Sequence, residues 1–292
     1  MATRKDNFIS DFDEDAAIFE FGGKKMAITT DMGFFKTHLL VEDAESIGRK
    51  IVTSSVTDLL AKGALPKYLL LNIGAPAELE MDILEKMYGA MSNELQKYSA
   101  HLIGGDTNKS PEFFYSTAFL GEIEGRPILR NGAQEGDCIV LTGPIGNAAA
   151  GYLMLKNKLS GPQKFIEAQQ NPQIDFELCK RIWPHANAGI DVSDGLAFEL
   201  GEIARLSKKR ITIEWERIPI DKEFLHFCEA NGFDPEELAL HYGEDYQIIF
   251  TTPQPTEGIV AGRVEEGEGI FLERGNKQRK LAAKGYEHFV SN

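Results

Sequence analysis

The chain has 292 residues, 42% hydrophobic and 26% charged, an ordinary globular composition long enough for two modest cores or one large one. Its 45 aspartates and glutamates outnumber 31 lysines and arginines, and the formal net charge of −14 repels polyanions, so nucleic acid is not an expected partner. No apolar run approaches the roughly 20 residues of a membrane helix, and the three cysteines, Cys138, Cys179 and Cys228, have neither zinc-knuckle spacing nor the even count of a disulfide framework.

Residues 1 to 10 lack the apolar centre of an export signal, so a cytoplasmic location without membrane attachment is expected. The runs AAIFEF from Ala16, KMAITT from Lys25, KYLLLNIGA from Lys67, HLIGG from His101 and FFYSTAFLGEI from Phe113 read as strands. The third and fifth are nearly continuous in apolar residues, which predicts burial on both faces. Between the second and third, Asp43 is an N-cap for a helix with Ile47, Ile51, Ser55, Val56, Leu59 and Leu60 on one face, closed by Gly63. A second helix is expected over 78–98, with Ile83, Leu84, Met87, Met91 and Leu95 at helical spacing.

The polar, turn-rich segment from Arg130 to Asp137 marks a domain boundary, dividing the chain into 1–133 and 134–292. Beyond it, CIVLTG is a strand. Helical patterns then fall over 147–159, 176–183, 195–206 and 222–231, with strands at 188–192, 211–215, 246–251, 262–264 and 269–272. The fold class is therefore α/β (α+β) in two domains, without repeats or low-complexity tracts.

The acids stand at particular places on this framework. Asp31 follows MAITT, Asp106 follows HLIGG, and Asp191 and Asp194 sit in AGIDVSDG; all end strand-like runs, where α/β proteins open onto ligand crevices. Asp15 follows Asp13 and Glu14, just before the first strand. Asp58 lies near the end of an apolar helix, where its charge opposes the helix dipole by roughly 0.3 to 1 kcal/mol. One such aspartate is ordinarily a turn or capping residue. Gathered into one crevice, these carboxylates would repel each other strongly unless cations or raised pKa values intervened, and hard oxygen donors select Mg²⁺, Mn²⁺ or Ca²⁺ over zinc. Gly104, Gly105, Gly195 and the loop TGPIGNAAAG from Thr142 supply backbone that can approach phosphate closely. The P-loop, protein-kinase, zincin and nucleophile-elbow motifs are all absent from the sequence.

In order, DEDAA at Asp13, TTD at Thr29, VTDLLAKGALP at Val56, LIGGDT at Leu102, RNGAQEGD at Arg130, TGPIGNAAAG at Thr142, DVSDGL at Asp191, HYGEDYQIIFT at His241 and KGYEHF at Lys284 resemble the motifs of the thiamine-monophosphate kinase family, within the aminoimidazole-ribonucleotide synthetase-like superfamily. The resemblance spans nearly the whole chain. It implies an N-terminal ATP- and magnesium-binding domain that dimerises through its sheet, a C-terminal domain closing the nucleotide and substrate cleft, and a homodimer. It also implies several Mg²⁺ ions held by Asp15, Thr29, Thr30, Asp31, Asp58, Asp106, Asp191 and Asp194. ATP would be met by Tyr98, Gly105, Asp106, Arg130 and Ser193, and thiamine monophosphate by His38, Glu244 and Tyr286. Departures from the family pattern stand at Asp13 and Glu14, at Phe35 and Lys36, at Asn147, and at NPQIDF from Asn171, and they gather on the acceptor side.

The implied reaction is ATP-dependent conversion of thiamine monophosphate to thiamine diphosphate by in-line transfer. A phosphate-monoester acceptor, with a second pKa of about 6, is largely dianionic at neutral pH and needs no general base. Carboxylate-held metal ions bring the two anions together. Two other readings stay open: a related ATP-dependent enzyme with a different small-molecule acceptor, and a non-catalytic nucleotide- or metal-binding regulator.

Overall fold

In the computed structural model, which describes residues 7–35, 37–40, 43–254 and 257–286, the chain packs as two compact units, Met1–Pro127 and Ile128–Asn292. Lys36 and the EHF of the KGYEHF motif lie outside the described residues.

The first unit runs β1 (Ala17–Phe21), β2 (Lys24–Phe34), α1 (Ala44–Ala61), β3 (Leu65–Ala75), α2 (Met81–Lys97), β4 (His101–Lys109) and β5 (Phe114–Ile123). The strands form one sheet in the order β1-β2-β5-β3-β4. Gly22 and Gly23, with φ of 59° and 78°, make the tight turn between β1 and β2. Strands β3 and β4 are parallel, joined by the crossover helix α2, whereas β2, β5 and β3 pair antiparallel.

Helix α1 begins where the sequence places it, with the Asp43 carboxylate accepting the Ser46 amide, and ends against a turn at Lys62 and Gly63. It is buried around nearly its whole circumference, not along one stripe. Its hydroxyls make that tolerable. Ser54 and Ser55 donate to the Ile51 carbonyl, Thr57 to that of Ser54, and Ser55 also meets the Thr117 hydroxyl of β5 at 2.7 Å. Against α2 it presents Gly48, where an added Cβ would come within 2.3 Å of the Met87 carbonyl oxygen.

Within a single chain, strands β3 and β5 bury one face. Their burial alternates, and Tyr68 and Leu70 are 45% and 42% exposed. In the antiparallel setting only the helix-covered face is a core; the other carries apolar residues that no layer covers among the described residues.

The second unit contains β6 (Cys138–Leu141), α3 (Asn147–Asn157), α4 (Gln163–Gln170), α5 (Phe176–Ile182), β7 (Ala188–Asp191), α6 (Leu196–Ser207), β8 (Arg210–Glu214), α7 (Lys222–Asn231), α8 (Pro235–His241), β9 (Ile248–Thr252), β10 (Ile259–Glu265), β11 (Gly269–Arg274) and β12 (Lys277–Leu281). Its seven strands are ordered β12-β11-β8-β10-β6-β9-β7. The core joins Ile139, Leu141, Ile190 and Ile249 from the strands to Leu153, Phe165, Leu200, Ile203, Phe224 and Leu238 from the helices. Among the described residues no helix is long and apolar enough to cross a membrane.

Candidate active site

In the first unit, the alternation of β2 aims Thr29 and Asp31 at α1. The Thr29 hydroxyl lies 2.5 Å from Asp58 Oδ2, on α1, and 3.2 Å from the backbone carbonyl oxygen of Asp15. Carboxylate oxygens of Asp15 and Asp58 lie within 4.8 Å of each other. The Asp31 amide donates to the Thr117 hydroxyl, which keeps that stretch of β2 in register with β5. Residues from a loop, a strand and a helix thus form one group with oxygen donors only, which fits a hard divalent cation such as Mg²⁺.

Two expected ligands lie elsewhere on the sheet. Thr30 pairs with Ala118, and Asp106 with Asn72, so both belong to the sheet face away from α1. On the edge strand β4, the Asp106 carboxylate accepts the Thr107 amide and the Asn108 side chain. Gly105 has φ of 149°, and a Cβ there would fall 1.7 Å from the Leu71 carbonyl oxygen, so the close approach of β3 and β4 already requires glycine. Tyr98 is buried at the C-cap of α2. His38 Nδ1 accepts the Phe34 amide at 3.2 Å, which places the ring proton of the neutral imidazole on Nε2.

Lys62 belongs with this group although it is not among the expected ligands. It is fully buried, its ammonium 2.6 Å from both Glu14 Oε2 and Asp15 Oδ2. The signal was its place four residues after Asp58, one helical turn along the same face.

In the second unit, Asp191 closes β7 and is 2% exposed. The following loop is a hub. The Glu244 amide donates to the Ser193 carbonyl at 2.8 Å and the Tyr286 amide to the Asp194 carbonyl at 3.0 Å. Residues far apart in sequence are therefore fixed to consecutive peptide groups. Gly243 makes the approach feasible, since a Cβ there would meet the Ser193 carbonyl oxygen at 1.9 Å. Buried Glu199 steadies the loop from α6 by accepting the Asp194 amide, and buried Gln169 of α4 donates to Glu244 Oε2 at 3.3 Å. Neither is marked by a motif. Arg130 sits in a 3₁₀ turn, Arg130–Gly132, anchored where the Ser207 hydroxyl donates to its carbonyl.

The glycine loop before α3 differs from a phosphate cradle. The buried Asp245 carboxylate accepts the Gly146 and Ala148 amides at 2.8 and 3.2 Å, capping the helix from a distant loop. Burial pushes the Asp245 carboxyl up to about 7 even though these amides favour its charged form.

This pairing of domains defines a class: residues 13–123 match the family model of AIR synthase related protein, N-terminal domain, and residues 134–271 that of its C-terminal domain. The thiamine-monophosphate kinase of Aquifex aeolicus is 33% identical over 94% of this chain and 92% of its own, and that of Pyrococcus horikoshii 32% identical over 96% and 93%. The solved structure of AaThiL complexed with AMPPCP and TMP superposes with a TM-score of 0.87 at 33% identity, covering 95% of this chain and 92% of that one. The chain belongs to the thiamine-monophosphate kinase family.

Proposed function

We infer that this chain transfers the γ-phosphoryl group of ATP to the phosphate of thiamine monophosphate, giving thiamine diphosphate and ADP. The observation that carries the reading is the match along almost the full length of both chains to AaThiL, whose structure holds AMPPCP and TMP. In the transfer, an oxygen of the acceptor phosphate forms the new P–O bond while the bond to the ADP oxygen breaks. The acceptor dianion is itself the nucleophile, so no side chain of the enzyme needs to take a proton.

The proposed metal ligands are Asp15, Thr29, Thr30, Asp31, Asp58 and Asp106 in the first unit and Asp191 and Asp194 in the second. Magnesium ions held by these residues would supply positive charge that offsets the phosphates of the two substrates. Tyr98, Gly105, Asp106, Arg130 and Ser193 are proposed to meet ATP. His38, Glu244 and Tyr286 are proposed to meet the acceptor; a carboxylate beside an aromatic ring suits the flat, cationic thiamine rings, and the bonding of Glu244 and Tyr286 to one loop supports this pairing. We further propose a cytoplasmic homodimer formed through the first unit.

Incubation with ATP, Mg²⁺ and thiamine monophosphate, followed by chromatography, should yield thiamine diphosphate in proportion to ADP, and excess chelator should abolish both. ADP formed without thiamine diphosphate would sink the acceptor and favour another small molecule. Full turnover in chelator would sink the metal group.

A further inference from the structure

Lysine is among the residues least often fully buried, yet Lys62 is among the largest fully buried side chains in this molecule. Its ammonium is 2.6 Å from Glu14 Oε2 and 2.6 Å from Asp15 Oδ2, and those side chains are themselves only 4% and 1% exposed. An ammonium so placed is tolerable only when paired and hydrogen-bonded. Lys62 is also the C-cap residue of α1, its backbone amide donating to the Leu59 and Leu60 carbonyls, four residues after Asp58.

The placement gives Asp15 two neighbours of opposite character. On one side is Lys62; on the other is the Asp58 carboxylate, an oxygen of which lies within 4.8 Å. Glu14, by contrast, is held by the ammonium and is not part of that close carboxylate group. The ammonium matches one of the two negative charges it touches, so Glu14, Asp15 and Lys62 together carry a net charge of −1.

We propose that Lys62 is a positioning residue, a resident cation that fixes Asp15 and takes Glu14 as its own counter-ion, so that the divalent ion is recruited by Asp15 with Asp58 and not by Glu14. The inference rests on the metal reading proposed above for this acid group. The fixed ammonium does before metal binding what a cation would otherwise have to do: it holds adjacent carboxylates together without mutual repulsion. Removing it leaves a net charge of −2 among the remaining two side chains, which a divalent ion can offset.

The test is thermal unfolding of wild type, Lys62→Met and the Glu14→Gln/Lys62→Met double variant, each in chelator and in saturating Mg²⁺. Methionine keeps much of the volume of the lysine stem without its charge, and the double variant restores the net charge of −1. Wild type should rise by a few degrees with Mg²⁺. Lys62→Met should melt well below wild type in chelator and gain at least twice the wild-type increment from Mg²⁺, while the double variant should recover most of the chelator-state loss. A Lys62→Met protein that melts like wild type in chelator, or whose loss neither Mg²⁺ nor the second substitution repairs, overturns the proposal while leaving the metal reading intact. A wild type with no Mg²⁺ response overturns both. If neither variant folds, Lys62 belongs to the scaffold irrespective of charge, and the proposal fails.

Discussion

Asp245 shows how far a single residue's environment departs from what its neighbours in sequence suggest. In YGED it looks like a turn acid beside Glu244, but it is buried, reaches across to cap α3, and has its pKa raised to about 7 by desolvation. The folded protein therefore binds this proton more tightly than the unfolded chain, whose carboxyl titrates near 3.8. Stability from this group is fully present below pH 4 and falls as pH rises towards 7, with a slope on the order of 1.4 kcal/mol per pH unit at most. Asn at this position cannot titrate. Urea unfolding from pH 4.5 to 8 should show wild type losing stability relative to Asp245→Asn up to about pH 7 and holding level beyond; a difference that does not change with pH would refute this. Part of the acid group in the first unit was legible at the same scale. Asp15, Thr29 and Asp58 come together because Asp15 directly precedes β1 while Thr29 and Asp58 lie on β2 and α1, apolar elements with a definite direction. Lys62, Gln169 and Glu199 were not, since their importance lies in burial, which a polar residue does not announce.

At the scale of elements, α1 and α2 pack through a gap that only glycine leaves. A methyl at Gly48 would press on the Met87 carbonyl oxygen at 2.3 Å, and a backbone atom cannot swing aside as a side chain can. Gly48→Ala should thus destabilise by about 1 to 3 kcal/mol despite the better helix propensity of alanine. A urea midpoint equal to or above that of wild type would contradict it. Helix α1 itself was legible from its cap and period, as were α2, α3 and α5–α7 and every strand up to β11, because each carries a short apolar run or a helical apolar spacing in its sequence. The elements that escaped have little such face. Helix α4 buries only Phe165 and Gln169, and β12, KQRKL, buries only Leu281 because it lies at the edge of its sheet. Helix α8 did carry a signal, with Asp234 as N-cap and Pro235 in its first turn, but its seven residues were too few for a period to stand out.

For the whole molecule, the proposed assembly is argued from the exposed face of the first sheet. Across β2, β5, β3 and β4, one row reads Ile28, Leu120, Tyr68, His101; the next reads Thr30, Ala118, Leu70, Gly104; and a third, more polar, reads Met32, Ser116, Asn72, Asp106. Met32 and Ile103 are 51% and 57% exposed, alongside Tyr68 and Leu70. Side chains of this kind gathered on one flat face are unusual for a protein that works alone. A second copy related by a two-fold axis would lay the same rows against themselves, apolar against apolar, with the polar row at the rim. The first unit is then expected to form a homodimer at micromolar concentration, as measured by light scattering. Leu70→Lys would put a charge at the centre of the patch while leaving the helix-covered core untouched, so it should shift the mass to that of a monomer with unfolding changed by less than about 1 kcal/mol per chain once dimer dissociation is accounted for. A wild-type monomer, or a Leu70→Lys protein that remains dimeric, would place the subunit contact on another surface.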